Sequence, residues 1–321
     1  MQYIERIITG IDGSSARLTG YVIDNSSEID PDRRRPAVLV LPGGGYYKTS
    51  DREAEPIALK FVGAGYHAFV LRYSCAPSRY PVALCEAAEA MRMMRAHADE
   101  WHIDPQRIAI LGFSAGGHLA ANLATSAGDD DLAAHGYDPD AVRPNALMLA
   151  YPVITSGRYA HRGSFDALLG VSTRRFVESA DAADAADSAN AADSTDATKS
   201  SDSAASDQTA RLLEELSIER HIDAKTPPVF VWHTVTDNSV PVENTLMLVQ
   251  ACKDAGVSVE AHLFPEGWHG LSLGTMETAW KADPAAVFPC IQIWPRLALD
   301  WMERTFAKVA ADENAGECAD R

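Results

Sequence analysis

Arg107-Ile-Ala-Ile-Leu-Gly-Phe-Ser-Ala-Gly-Gly-His-Leu-Ala-Ala-Asn-Leu-Ala124 changes its hydrophobic rhythm at its midpoint. From Arg107 to Gly112 it is a short apolar run, the pattern of a strand buried on both faces. From Ala115 to about Thr125 it is rich in Ala and Leu and suits a helix. Between the two stands Gly112-Phe-Ser114-Ala-Gly116, with a glycine two residues either side of the serine. A sharp strand-to-helix turn presses the flanking backbones together, and a Cβ at either glycine would clash. Ser114 then projects its hydroxyl above the sheet at the positive end of a helix. Alone, the pentapeptide also suits a serine that caps an ordinary helix. Its partners elsewhere in the chain decide between the two.

Working outward, short apolar runs alternate with amphipathic ones. Ala37 to Leu41, Ala68 to Tyr73, Ala146 to Tyr151, Val229 to His233 and Val257 to Phe264 read as further strands. Ala54 to Gly63, Pro81 to His97, Val242 to Ala255 and Trp294 to Phe306 read as helices. Strands alternating with helices predict an α/β fold, a mostly parallel sheet with helices on both faces. The residues up to Val22 suit a leading antiparallel hairpin around Asp12-Gly13.

An activated serine needs a base, and the base needs an acid to orient it. In a sheet of this kind the partners follow later strands in the order Ser, Asp, His. Asp237 follows the strand ending at His233, and His269 follows the strand ending at Phe264. Both fall at carboxyl ends of parallel strands, where open α/β sheets place their sites. Ser114, Asp237 and His269 are therefore the expected nucleophile, orienting acid and general base. Asp283 and Glu243 are alternative acids, although Glu243 suits the opening of a helix better. His118 is expected to be structural, and His233 a hydrogen-bonded neighbour of the site. His102, His221 and His262 lack an acid at a suitable place in the topology.

Leu41-Pro-Gly-Gly-Gly-Tyr46 follows the strand Ala37 to Leu41. Backbone N–H groups unobstructed by side chains can hold a developing oxyanion, so Gly44 and Gly45, with Ala115, are the expected donors. The glycines are not a phosphate cradle, because neither G-x-x-x-x-G-K-[ST] nor G-x-G-x-x-G is present. Serine chemistry of this kind requires no cofactor and no metal.

The chain has 321 residues, 46% of them hydrophobic, and a net charge of -17. No surplus of Lys and Arg exists to displace the counterions of a nucleic acid, so such a partner is not expected. No apolar run approaches the roughly 20 residues of a membrane span, and no leader pattern opens the chain, so a cytoplasmic protein is expected. Five cysteines without close pairing read as free thiols. Residues 178–210 contain no Val, Ile, Leu, Met or aromatic side chain, and Glu178 and seven aspartates against Lys199 give them -7, leaving -10 for the remainder. With nothing to bury, this stretch is expected to be a disordered insert, an Ala-rich helix being the alternative that its Asp, Ser and Thr content works against, and about 310–321 a disordered tail, on a single domain spanning 1–321.

Pro42-Gly-Gly-Gly-Tyr46, Arg52-Glu-Ala-Glu-Pro-Ile-Ala58, Gly112-Phe-Ser-Ala-Gly-Gly-His-Leu-Ala120, Thr226-Pro-Pro-Val-Phe-Val-Trp-His233, Asp237-Asn-Ser-Val-Pro-Val-Glu-Asn244 and His269-Gly-Leu-Ser272 come in a fixed order. Together they resemble the α/β-hydrolase esterases related to acetyl xylan esterases and feruloyl-esterase-like proteins, over about Ala37 to Phe306. The resemblance implies an α/β-hydrolase fold and the same assignment of Ser114, Asp237 and His269. It also implies a small-molecule or oligosaccharide ester substrate, an acetylated sugar above all. General short-chain esterase, peptidase-like hydrolase and non-catalytic binding module are the alternatives. Pro42 replaces the His of the HGGG motif of many such esterases. The insert falls in the lid region, about 155–225, after the sixth strand. Tyr46, Tyr47, Trp232 and Trp268 either offer flat faces for a sugar ring or pack the core, with Tyr46 and Trp268 the expected substrate contacts.

Overall fold

The computed structural model describes residues 1–173 and 200–319, with side chains for all of these except 200–206 and 308–319. Its strands are β1 (Gln2–Thr9), β2 (Ser15–Val22), β3 (Arg35–Leu41), β4 (His67–Arg72), β5 (Ile103–Phe113), β6 (Ala146–Ala150), β7 (Val229–Thr234) and β8 (Val259–Phe264). They form one eight-stranded sheet in the order β1-β2-β4-β3-β5-β6-β7-β8. The leading hairpin forms, with β1 antiparallel to β2 and β2 antiparallel to β4, and from β4 onward every pairing is parallel. Gly13 closes the hairpin at φ 85°, a conformation glycine adopts without steric cost.

The α-helices among the described residues are α1 (Glu55–Gly63), α2 (Val82–Ala96), α3 (Ala115–Ala124), α4 (Asp129–Ala134), α5 (Pro139–Val142), α6 (Arg162–Leu169), α7 (Ser200–Glu215), α8 (Glu243–Asp254) and α9 (Trp294–Ala319). They cover both faces of the sheet, and the strands alternate accordingly. Ala37, Leu39 and Leu41 of β3 enter the core that holds Met91 of α2, Leu119 of α3 and Leu248 of α8. Val38 and Val40 enter the opposite core with Phe61 of α1 and Trp301 of α9. This is the α/β-hydrolase arrangement. Ser114 follows β5, the position 237 loop follows β7 and the position 269 loop follows β8, so all three emerge at one edge of the sheet.

Some expectations shift. The strand expected from Arg107 begins at Ile103, because Ile103 still pairs with Arg35 across a register irregularity. The insert expected to be disordered over 178–210 divides. Residues 178–199 lie outside the described residues, but 200–210 open α7 and are helical. Beyond them Leu213 and Leu216 are buried, and a helix anchored at one end propagates readily through Ala-containing sequence. The tail expected to be disordered from about 310 likewise continues α9 to Ala319, extending a helix whose first turns pack Trp294, Ala298 and Trp301. Cys75, Cys85, Cys252 and Cys290 are unbridged, and no described helix is long and apolar enough to cross a membrane.

Candidate active site

Ser114 sits at φ 52°, ψ -119°, a region that a serine adopts only when its surroundings impose it. The surroundings are backbone. A Cβ at Gly112 would come within 2.2 Å of the Gly116 carbonyl oxygen, and one at Gly116 within 2.3 Å of the Leu41 oxygen. The Ser114 N–H donates to the Ala150 carbonyl at 3.0 Å, tying the turn to the end of β6.

The structure brings Ser114, Asp237 and His269 together. His269 Nε2 lies 2.7 Å from Ser114 Oγ, and His269 Nδ1 lies 2.7 Å from Asp237 Oδ2. The second Asp237 oxygen accepts the N–H groups of Ser239 and Val240, each at 2.9 Å. Burial opposes ionisation of Asp237, but hydrogen bonds from His233 and His269 more than offset it and hold the carboxyl well below the usual range. His233 is fully buried, with Nε2 donating to the Val240 carbonyl at 3.0 Å and lying 3.3 Å from Asp237 Oδ2. A carbonyl can only accept, so Nε2 carries the proton, and Nδ1 accepts from the Thr245 hydroxyl at 2.8 Å. The Asp237 and His269 loops are laced together where Thr234 and Thr236 hydroxyls both donate to the Gly267 carbonyl. Of the alternative acids, Glu243 opens α8 and Asp283 caps a short turn by accepting the Ala285 N–H at 2.9 Å.

Gly44 and Gly45 border a cavity of about 300 Å³ that also holds Ser114 and His269. The preceding Gly43 N–H is already donated, at 2.8 Å, to Glu53 Oε2. Among the described residues the N–H groups of Gly44 and Gly45 have no partner, and Ala115 opens α3 with the unpaired N–H of a first helical residue. The site therefore offers a hydroxyl, an imidazole held by a carboxylate, and unpaired backbone donors around one small space. Such an arrangement can attack a carbonyl and hold the resulting oxyanion.

Two expected substrate contacts lie elsewhere. Tyr46 is buried, with its hydroxyl donating to His118 Nδ1 at 2.9 Å, so it packs the core instead of facing the cavity. Its φ of 60° turns the chain so that the next side chain, Tyr47, lines the cavity. Trp268 is partly exposed but packs edge-on against Phe288, with centroids 4.7 Å apart, and does not line the cavity beside its neighbour His269. Trp232 is wholly buried against Trp294. His118 is structural as expected, since its Nε2 donates to the Leu216 carbonyl at 2.8 Å and burial lowers its pKa to about 4.

Glu53, Tyr151, His161 and Trp280 are components that the sequence reading missed. The buried Glu53 carboxylate accepts both the Gly43 N–H and the Tyr151 hydroxyl, the latter at 2.7 Å. Tyr151 stands edge-on to the His269 ring at 5.0 Å and accepts the Ser272 N–H, so one carboxylate braces the glycine loop and the histidine loop together. The Arg52-Glu-Ala-Glu stretch was the available signal for Glu53. His161, just before α6, brings the lid region to the cavity. Burial lowers its pKa, with the neighbouring His269 acting in the same direction. A larger groove of about 720 Å³ runs along α8 and contains none of these groups.

The sheet order and the sharp turn at Ser114 define the α/β-hydrolase fold class. The BD-FAE family model matches residues 27–252, and the chain belongs to that family. It is 32% identical over 250 residues to endo-1,4-beta-xylanase B of Butyrivibrio fibrisolvens, covering 77% of this chain and 34% of that protein. It is 26% identical to the acetylxylan esterase of Xylanibacter ruminicola, covering 74% and 42%. The chain thus spans less than half the length of these two relatives. Among solved structures, an acetyl ester-xyloside bifunctional hydrolase from Caldicellulosiruptor lactoaceticus superposes with TM-score 0.67 at 34% identity, covering 91% of this chain and 88% of that one. A carboxylesterase from Lactobacillus plantarum gives TM-score 0.72 at 28% identity, covering 95% and 98%.

Proposed function

We propose that this protein is a serine esterase that removes short acyl groups, acetyl above all, from xylo-oligosaccharides or other sugars. The observation that carries the reading is His269 bridging Ser114 and Asp237 with two contacts of 2.7 Å. Ser114 Oγ attacks the ester carbonyl as His269 Nε2 takes its proton, and the Ala115, Gly44 and Gly45 N–H groups hold the tetrahedral oxyanion. His269 returns the proton to the departing alcohol. Water, deprotonated by the same imidazole, then releases the acid from Ser114. Asp237, kept ionised by its hydrogen bonds, stabilises the imidazolium formed in each half-reaction.

The short-acyl preference is supported by the small cavity, whose lining includes Ser50, Arg52, Glu53, His161 and Ser239 instead of an apolar tunnel. The sugar preference is supported by the acetylxylan esterase and acetyl ester-xyloside hydrolase relatives. Acetate release from acetylated xylo-oligosaccharide, set against 4-nitrophenyl esters from acetate to octanoate, tests both parts. Efficient acetate release and a fall in efficiency with chain length are expected. Highest efficiency on octanoate would refute the short-acyl assignment, and failure on the oligosaccharide would refute the sugar assignment.

A further inference from the structure

A second cavity, about 450 Å³, shares Lys48, Ser50, Arg52 and Trp280 with the cavity that holds Ser114. Three cations surround the half-exposed Trp280 ring: Lys48 Nζ and Arg52 Cζ at 5.5 Å from its centroid and Lys281 Nζ at 6.0 Å. Among the described residues none of the three is paired with a carboxylate. Two acids beside the cluster are engaged elsewhere: Asp51, which lines the second cavity, pairs with Arg72 at 2.7 Å, and Glu53 holds Gly43 and Tyr151. Arg52 is fixed toward the site because its Nη1 donates to the Gly270 carbonyl at 2.6 Å, and its buried Nε has no partner.

Unpaired cations gathered at one ring are unexpected in a chain of net charge -17. A single indole attracts each cation but does not neutralise three, and their mutual repulsion persists until an anion arrives. We propose that this cluster is the subsite for a carboxylate on the alcohol portion of the substrate, so that the preferred ester is an O-acetylated sugar acid, a uronic acid unit. This rests on the sugar-ester reading above: an acetyl group has no place for a charge, so the carboxylate belongs to the sugar. The adjoining Ser50 and Thr49 hydroxyls line the same cavity and suit sugar hydroxyls.

The test compares kcat/KM of the full chain on a mono-O-acetylated methyl glucuronide and on the matching glucuronamide, which has the same shape without the charge. The acid is expected to be preferred about tenfold at low salt, and the preference to shrink toward one at about 1 M salt. It should also collapse in the Lys48→Gln/Lys281→Gln double variant, whose two side chains are exposed and carry none of the fold. Equal kcat/KM on acid and amide, or a preference that survives the double substitution, would overturn the subsite while leaving the esterase reading intact. Failure to hydrolyse either sugar derivative, with 4-nitrophenyl acetate still turned over, would overturn the sugar-ester reading and the subsite together.

Discussion

Ser114 combines two demands that few residues meet, a left-handed backbone and a hydroxyl 2.7 Å from an imidazole. Ser114→Ala keeps the backbone and removes the chemistry. On 4-nitrophenyl acetate its kcat/KM should fall by about 10³-fold or more with the Tm unchanged, and near-parental turnover would end the assignment. Asp237→Ala should cost less than Ser114→Ala, since the hydroxyl and the backbone donors survive. Gly116→Ala has the opposite character. Its Cβ would meet the Leu41 and Pro42 carbonyl oxygens at 2.3 and 2.5 Å, and rigid backbone has no room to yield. A loss of about 3 kcal/mol or more in urea unfolding is expected, whatever happens to activity.

At the scale of elements, what could be read in advance follows from periodicity and spacing. The parallel strands were legible because burial on both faces leaves an unbroken apolar run, and the order of Ser114, Asp237 and His269 was legible because each follows such a run. The side chains lining the cavity were not. Tyr46 and Tyr47 are adjacent aromatics, and only the positive φ at Tyr46 determines which faces the cavity. Trp268 is diverted by Phe288, and Trp280 arrives from a run of 3-10 turns with no periodicity to reveal it. Composition alone also extended the insert over eleven residues, 200–210, that are helical and lead into buried leucines. A deletion should accordingly stop before Ser200. Removing residues 181–199, which contain no apolar side chain larger than Ala, should leave the Tm and 4-nitrophenyl acetate hydrolysis nearly unchanged. A drop of more than a few degrees would show that the segment contributes to the fold.

For the molecule as a whole, acid sensitivity follows from histidines held neutral in the core. His67 and His118 are buried, and burial lowers each pKa from 6.5 to about 4. The unfolded chain takes up these protons below pH 6.5 while the native chain refuses them until about pH 4, so their contribution is complete above 6.5 and is lost as pH falls through that window. The loss is on the order of 3 kcal/mol for each histidine, and Tm measured from pH 7 to 4.5 should fall accordingly, less steeply in His118→Gln. Asp237 acts later. Its lowered pKa gives stability that is full above the ordinary Asp range and fades only as pH drops below about 4. The charge of -17 is likewise uneven, with -7 on residues 178–210 and unpaired cations beside the site. The proposed activity requires one serine in this molecule to be an activated nucleophile. The most direct measurement is reaction with a fluorophosphonate followed by peptide mass spectrometry. One adduct per chain, on Ser114 and absent from His269→Ala, is the predicted result. No adduct, or an adduct on another serine while ester hydrolysis persists in Ser114→Ala, would contradict it.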